Sequence, residues 1–292
     1  MGTTAEKIAR HVAAQTKAPV IDLAGHRQMK QLLREANLDA GGFERQIEAG
    51  TDPCFAVYTH AQALISILAE QLSMTKEARH FARLAAEAED IYMPSYPPMS
   101  PVTTSHFTMW ALFDLQFGQS RETIGTCFLR IAELTNLPAN LRVTATALQN
   151  SRLGVYVHCG HDGRFVRLRE IGQDRIVRCH VPAGWRGEAG EIWLARLLPP
   201  ASALFDYSIV STTPYVIRGG SEPDWLAYLE RERRRLGGKP LPRGLDATST
   251  IMKHGPSIHH WNEYIFCAYV GHQKEAVFLT GIPDIKASLP HA

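Results

Sequence analysis

The stretch that decides the fold lies between residues 154 and 217 and reads GVYVHCGHDGRFVRLREI (154–171), DRIVRCHV (174–181), GEIWLARLLPP (190–200) and YSIVSTTPYVI (207–217). Apolar and polar residues alternate here with a period near 2, whereas the chain before it carries the period of about 3.6 that belongs to helices. Gly, Pro, Asp and Ala turns separate roughly four or five short strands, the pattern of a small β-barrel or sheet. The chain therefore reads as an α+β protein. A helical N-terminal domain spans 1–150 and an α+β domain spans 151–292, with the barrel at about 154–217 and two C-terminal helices after it.

Toward the N-terminus the helix signals are local. Thr3 and Glu6 are spaced as a capping box ahead of Ile8, Val12 and Ala13, which predicts a first helix to about Gln15. Met29, Leu32 and Leu33 mark a second helix over about 27–36. Asp52-Pro53 opens a third through Phe55, Tyr58, Ala61, Leu64, Ile65, Leu68 and Leu72, with proline where its missing N–H does no harm. A fourth covers 76–91 and forms an antiparallel hairpin with the third, as in helical bundles. The segment 92–102, YMPSYPPMSPV, carries four prolines in eleven residues and must be extended. Helices resume over 106–117, 122–134 and 140–150.

Beyond the strands, Ser221-Glu222-Pro223-Asp224 starts a helix that stops at Gly237-Gly238, with Arg233, Arg234 and Arg235 at its negative end. Residues 239–250 read as an exposed linker, 258–272 as a last helix, and 275–283 as a strand that rejoins the sheet.

The 292 residues are 45% hydrophobic and 21% charged, ample for a globular core, with a formal net charge of +2. Residues 1–150 carry 13 Lys/Arg against 15 Asp/Glu, and the remainder 18 against 14, so the second half leans basic. Five cysteines (Cys54, Cys127, Cys159, Cys179 and Cys267) lack CxxC spacing and read as reduced thiols. The chain opens without a signal-peptide pattern and has no apolar run of membrane-spanning length, so a cytoplasmic protein with no membrane partner is expected. Walker, Rossmann and GxSxG patterns are absent, which disfavours nucleotide-driven chemistry and serine hydrolysis. No cofactor is expected.

The pieces GVYVH, FVRLREI, RCHVP and GEIWLARLLPP resemble the small SH3-like barrels attached to helical proteins in bacteria. The resemblance is architectural and confined to the strand region. It implies a module that binds proteins or nucleic acids and is rarely catalytic on its own.

Two clusters point to chemistry. His158, Cys159 and His161, with Cys179 and His180 on a nearby strand, are the ligand types zinc prefers. Alternation sends sequence neighbours to opposite faces, which leaves His158, His161 and Cys179 as weak metal candidates. Near the C-terminus, His254, His259, His260 and Glu263 include a His–Glu pair four apart on a helix, suited to general acid/base work in a metal-dependent hydrolase or nuclease. Glu77 and His80 match the spacing of di-iron bundles but have no second copy, and read as a solvated helix face.

The third candidate is a basic, aromatic surface. Arg164, Arg167, Arg169, Arg175, Arg178, Arg186 and Arg196 interleave with Phe165, Trp185 and Trp193, a composition that small barrels use to hold nucleic acid. Acids at Asp162, Glu170, Asp174, Glu188 and Glu191 accompany them. The loop PAGWRGEAGE (182–191) is expected to present Trp185 and Arg186 on a mobile tip. The leading expectation is therefore a binding or adaptor protein that engages a protein or nucleic acid through Trp185, Arg186, Arg164, Arg167, Arg178 and Trp193. The hydrolase is the alternative.

Overall fold

The computed structural model describes residues 3–17, 42–69, 75–93, 102–134, 139–200, 206–238, 241–242, 245–255 and 269–280. It divides into two compact units. One comprises 1–86, 108–150 and 200–206, the other 87–107, 151–199 and 207–292.

The helices before the barrel are α1 (Thr4–Lys17), α2 (Gly42–Glu48), α3 (Pro53–Ile67), α4 (Arg79–Tyr92), α5 (Thr104–Phe113), α6 (Ile124–Leu134) and α7 (Ala139–Asn150). The capping box at α1 forms as read: Glu6 N donates to Thr3 Oγ1 at 3.2 Å and Thr3 N to Glu6 Oε2 at 3.1 Å. A second acid completes the cap. Glu122 accepts from Thr4 N at 2.8 Å and Ala5 N at 3.2 Å, placing a carboxylate on the positive end of α1. Ile8 and Ala9 of α1 pack against Ile131 of α6. The fourth helix begins later than its periodicity suggests, because Lys76–Ala78 form a 3-10 turn first. α5 ends at Phe113, short of the expected 117, and Phe117 instead bridges Glu122.

The strands are β1 (Arg152–Asp162), β2 (Phe165–Glu170), β3 (Ile176–His180), β4 (Ile192–Leu198), β5 (Ser208–Val210), β6 (Tyr215–Arg218), β7 (Tyr269–His272) and β8 (Val277–Thr280). Five of them close a barrel in the order β1-β2-β3-β5-β4-β1, antiparallel throughout except for a parallel β3–β5 seam. β1 is long enough to serve two neighbours: its first half pairs with β4 and its second with β2. Gly154 permits this path, since a Cβ there would sit 2.5–2.8 Å from the phenol of Tyr156.

The run 207–217 holds two strands rather than one. Leu197 and Leu198 of β4 pair with β5, while Ile192, Trp193 and Leu194 pair with β6 along the same edge. Ser211–Pro214 carry the chain out of the barrel between them, and Pro214 cannot donate to a ladder. β8 then joins β6 in parallel and β7 pairs with β8, so the expected C-terminal strand does rejoin the sheet. The core is Tyr156, Val166, Leu168, Cys179, Trp193, Ala195, Val210, Val216, Ala276 and Phe278, all buried. β4 is buried on both faces, which explains its near-continuous apolar sequence.

Helices also follow the barrel: α8 (Glu222–Leu236) and α9 (Ala247–His254). α8 ends at Gly237 in the left-handed region. α9 begins inside the stretch read as linker, because Asp246 accepts from Ser249 N at 2.6 Å and Thr250, Ile251 and Met252 find buried positions. Tyr269–His272, read as the end of a helix, form a strand, because β8 offers them a ladder. Among the described residues no helix is long and apolar enough to cross a membrane.

Candidate functional site

The outer face of β2 and β3 gathers the basic residues. Val166 and Leu168 point inward, so Phe165, Arg167 and Arg169 point outward; Cys179 inward puts Arg178 and Ile176 outward. The register pairs Arg167 with Arg178 and Arg169 with Ile176. These arginines thus share a face, although their sequence spacing against Val166 and Leu168 looks irregular at the turn that precedes β2.

Phe165 is the centre of this face. The guanidinium carbons of Arg164 and Arg178 each lie 5.1 Å from its ring centroid, within cation–π range. Tyr207, buried, packs its ring 4.6 Å away at 44°. Arg178 Nη1 also lies 3.3 Å from Asp162 Oδ2, an ion pair with half-exposed side chains. Exposed Arg167 donates from Nη2 to Cys159 O at 2.7 Å.

Two other arginines are structural. Arg169 makes a bidentate pair with Glu222 at 2.9 and 2.8 Å, tying β2 to α8. Its Glu222 partner is held below the usual carboxylate range chiefly by that hydrogen bond. Arg196 is 2% exposed and donates to Ser151 Oγ and Ser151 O.

The loop 182–191, expected as a mobile tip, is tied to the barrel by hydrogen bonds. Arg186 O accepts from His158 Nε2 at 3.0 Å and His161 Nε2 at 3.1 Å, and Arg186 Nη2 donates to Gly163 O at 2.8 Å. Gly190 N donates to His158 O, and His158 N to Glu191 O. Trp185 turns inward against the barrel core, edge-on to Phe278 at 5.4 Å. Only Arg186 remains exposed of the two residues expected at the tip. Trp193, expected on the partner surface, is fully buried, with Nε1 donating to Glu191 Oε2 at 2.8 Å. Small turn residues around Trp185 suggested exposure; the apolar pocket beside Phe278 outweighs that signal.

A β-bulge explains how both histidines reach one carbonyl. Residues three apart on a regular strand face opposite ways, but the register slips between His158 and His161. Gly160, at φ +90°, absorbs the extra residue. Gly160 N donates to His158 Nδ1 at 3.0 Å, so His158 is neutral with its proton on Nε2. Burial lowers its pKa. The carbonyl of Arg186 occupies the point toward which the two rings converge. Cys179 sits in the core with its thiol pushed up to about 12 by burial. Among the described residues no group of three or more His, Cys, Asp or Glu is arranged to hold a metal ion.

Of the C-terminal cluster, His254 is the last residue of α9 and half-buried. His259, His260 and Glu263 lie outside the described residues.

Sequence reasoning missed Tyr207 and the pairing role of Asp162. Tyr207 follows a long stretch after β4, and only closure of the barrel through β5 brings it to Phe165. Asp162 was legible as a nearby acid, without a partner.

No protein-family model matches this chain, and no curated protein or solved structure is similar to it.

Proposed function

We propose that this protein binds single-stranded nucleic acid on the outer β2–β3 face of its barrel. A base stacks at Phe165, while Arg164, Arg167, Arg178 and Arg186 meet the phosphates. The observation that carries this reading is the partly buried Phe165 ring, with the guanidinium carbons of Arg164 and Arg178 each 5.1 Å from its centroid and Tyr207 packed beside it. A partly exposed aromatic in a cationic setting suits single strands, because every base has a stackable face whereas duplex bases are already stacked.

The barrel itself supports the same reading. Its order β1-β2-β3-β5-β4-β1 with a parallel seam fits an OB-type Greek-key barrel better than an SH3-like one. OB-type barrels bind oligonucleotides on the strand 2–3 face and the loops flanking it. Arg164 lies in the β1–β2 connection and Tyr207 at the end of the β4–β5 connection, both on the expected side. The separate thiols of Cys127, Cys159 and Cys179 support a reducing, cytoplasmic setting.

Fluorescence anisotropy with labelled oligo(U), oligo(dT) and a duplex of equal length tests the proposal. Salt-sensitive binding of the single strands, weaker for the duplex and about 5- to 150-fold weaker in Phe165→Ala, is the expected result. Equal affinity for all three, or none for any, contradicts it, and in the second case a protein partner becomes the better candidate.

A further inference from the structure

We infer that Asp162 is a built-in competitor for the nucleic-acid phosphate, limiting the affinity of the face on which it sits. The inference rests on the nucleic-acid reading of that face.

Arg178 lies at the junction of two interactions. Its guanidinium stands over the Phe165 ring at 5.1 Å, and its Nη1 points at Asp162 Oδ2 at 3.3 Å. The two side chains are 40% and 51% exposed. Asp162 is held there by the backbone, as the residue paired with Phe165 in the β1–β2 register. A phosphate beside a base stacked on Phe165 meets two guanidinium groups at equal distance from the ring, Arg164 and Arg178, and at Arg178 it competes with Asp162.

The neighbouring arginines are engaged differently. Arg167 donates to the carbonyl of Cys159 and Arg186 to the carbonyl of Gly163, neutral partners that leave the net positive charge in place. Arg169 is committed to Glu222 from another element. The Arg178–Asp162 pair is different because it combines a carboxylate with a position beside the stacking ring.

An exposed ion pair of this kind is weak, worth at most about a factor of five in an equilibrium. A phosphate can thus displace Asp162 at modest cost, and the same carboxylate repels the phosphates it does not yield to. The result is a face that binds strands reversibly and releases them readily as salt rises.

The test compares wild type, Asp162→Asn, Asp162→Ser, Arg178→Ala and the Asp162→Asn/Arg178→Ala double variant by oligo(U) anisotropy across a salt series. Asp162→Asn is expected to tighten binding roughly two- to fivefold at low salt, the scale of an exposed ion pair. That gain is expected to shrink in the Arg178→Ala background, where only the relief of repulsion is left. Asp162→Ser, which also removes the carboxylate, should reproduce the gain, and melting curves report whether each variant is folded. If folded Asp162 variants bind no tighter, or tighten equally without Arg178, the inference is wrong while the nucleic-acid reading stands. If none of these proteins binds oligo(U), the nucleic-acid reading fails and the inference with it.

Discussion

The guanidinium carbon of Arg178 lies 5.1 Å from the centroid of the Phe165 ring, across the β2–β3 ladder on the outside of the barrel. Arg164 reaches the same ring at the same distance from the preceding turn. Cationic side chains are thus held where a stacked base would bring its phosphates.

Replacing Phe165 with Ala should cost binding on the order of 1–3 kcal/mol, the range measured for single base–aromatic stacks, or about 5- to 150-fold in affinity. Because the ring is partly buried against Tyr207, the thermal midpoint should fall as well. Phe165→Tyr should retain most of the affinity. Anisotropy and a melting curve on the same preparations separate the two effects.

Arg167→Ala should act on affinity through salt rather than through fold. Removing one cation that neutralises a phosphate of a bound single strand lowers the slope of log K against log salt by about 0.7. An unchanged slope would place Arg167 outside the bound strand's path.

Trp193 and Trp185 should behave as packing residues. Trp193→Ala should destabilise by about 3–5 kcal/mol, as large-to-small changes in a core do. Trp185→Ala should destabilise by less, on the order of 1–3 kcal/mol, since it lines the core from one side. Denaturant unfolding monitored by circular dichroism measures both. A Trp185→Ala protein of normal stability that fails only in binding would restore Trp185 as a surface residue of the site.

Stability should fall in mild acid. Burial lowers His106 to about 3 and His60 to about 4, and moves His158 in the same direction. These imidazoles are neutral when folded, whereas the unfolded chain takes up protons near the ordinary value of about 6.5. Their contribution is therefore full above about pH 6.5 and is lost as pH drops toward the folded values. His106, whose Nε2 lies 2.8 Å from Thr213 O, should account for much of the effect. Unfolding curves between about pH 7.5 and pH 4.5 should show a steeper decline for the wild type than for His106→Gln.

Much of the barrel was legible because strand alternation is a local property. The period-2 runs marked β1 to β4 closely, and the capping residues Thr3, Glu6, Ser221 and Asp224 marked helix starts. What stayed hidden depends on residues distant in sequence. The shared edge of β4, which splits one apparent strand into β5 and β6, is a tertiary choice. So is the strand at Tyr269–His272, whose ladder partner β8 decides its conformation over local helix propensity. The candidate site was half legible: Arg164, Arg167 and Arg178 stood out by type, but the bulge at Gly160 and the inward turn of Trp185 did not. A one-residue slip reverses which side chains share a face, and no local signal announced it.

The most direct test of the central claim is photocrosslinking of a 4-thiouridine-containing oligo(U) to the wild-type protein, with the adducts mapped by peptide mass spectrometry. The account predicts adducts on the β1–β2 connection and β2–β3, centred on Phe165, and their disappearance in Phe165→Ala. Adducts confined to the helices of the N-terminal half, or an undiminished pattern in Phe165→Ala, would contradict it.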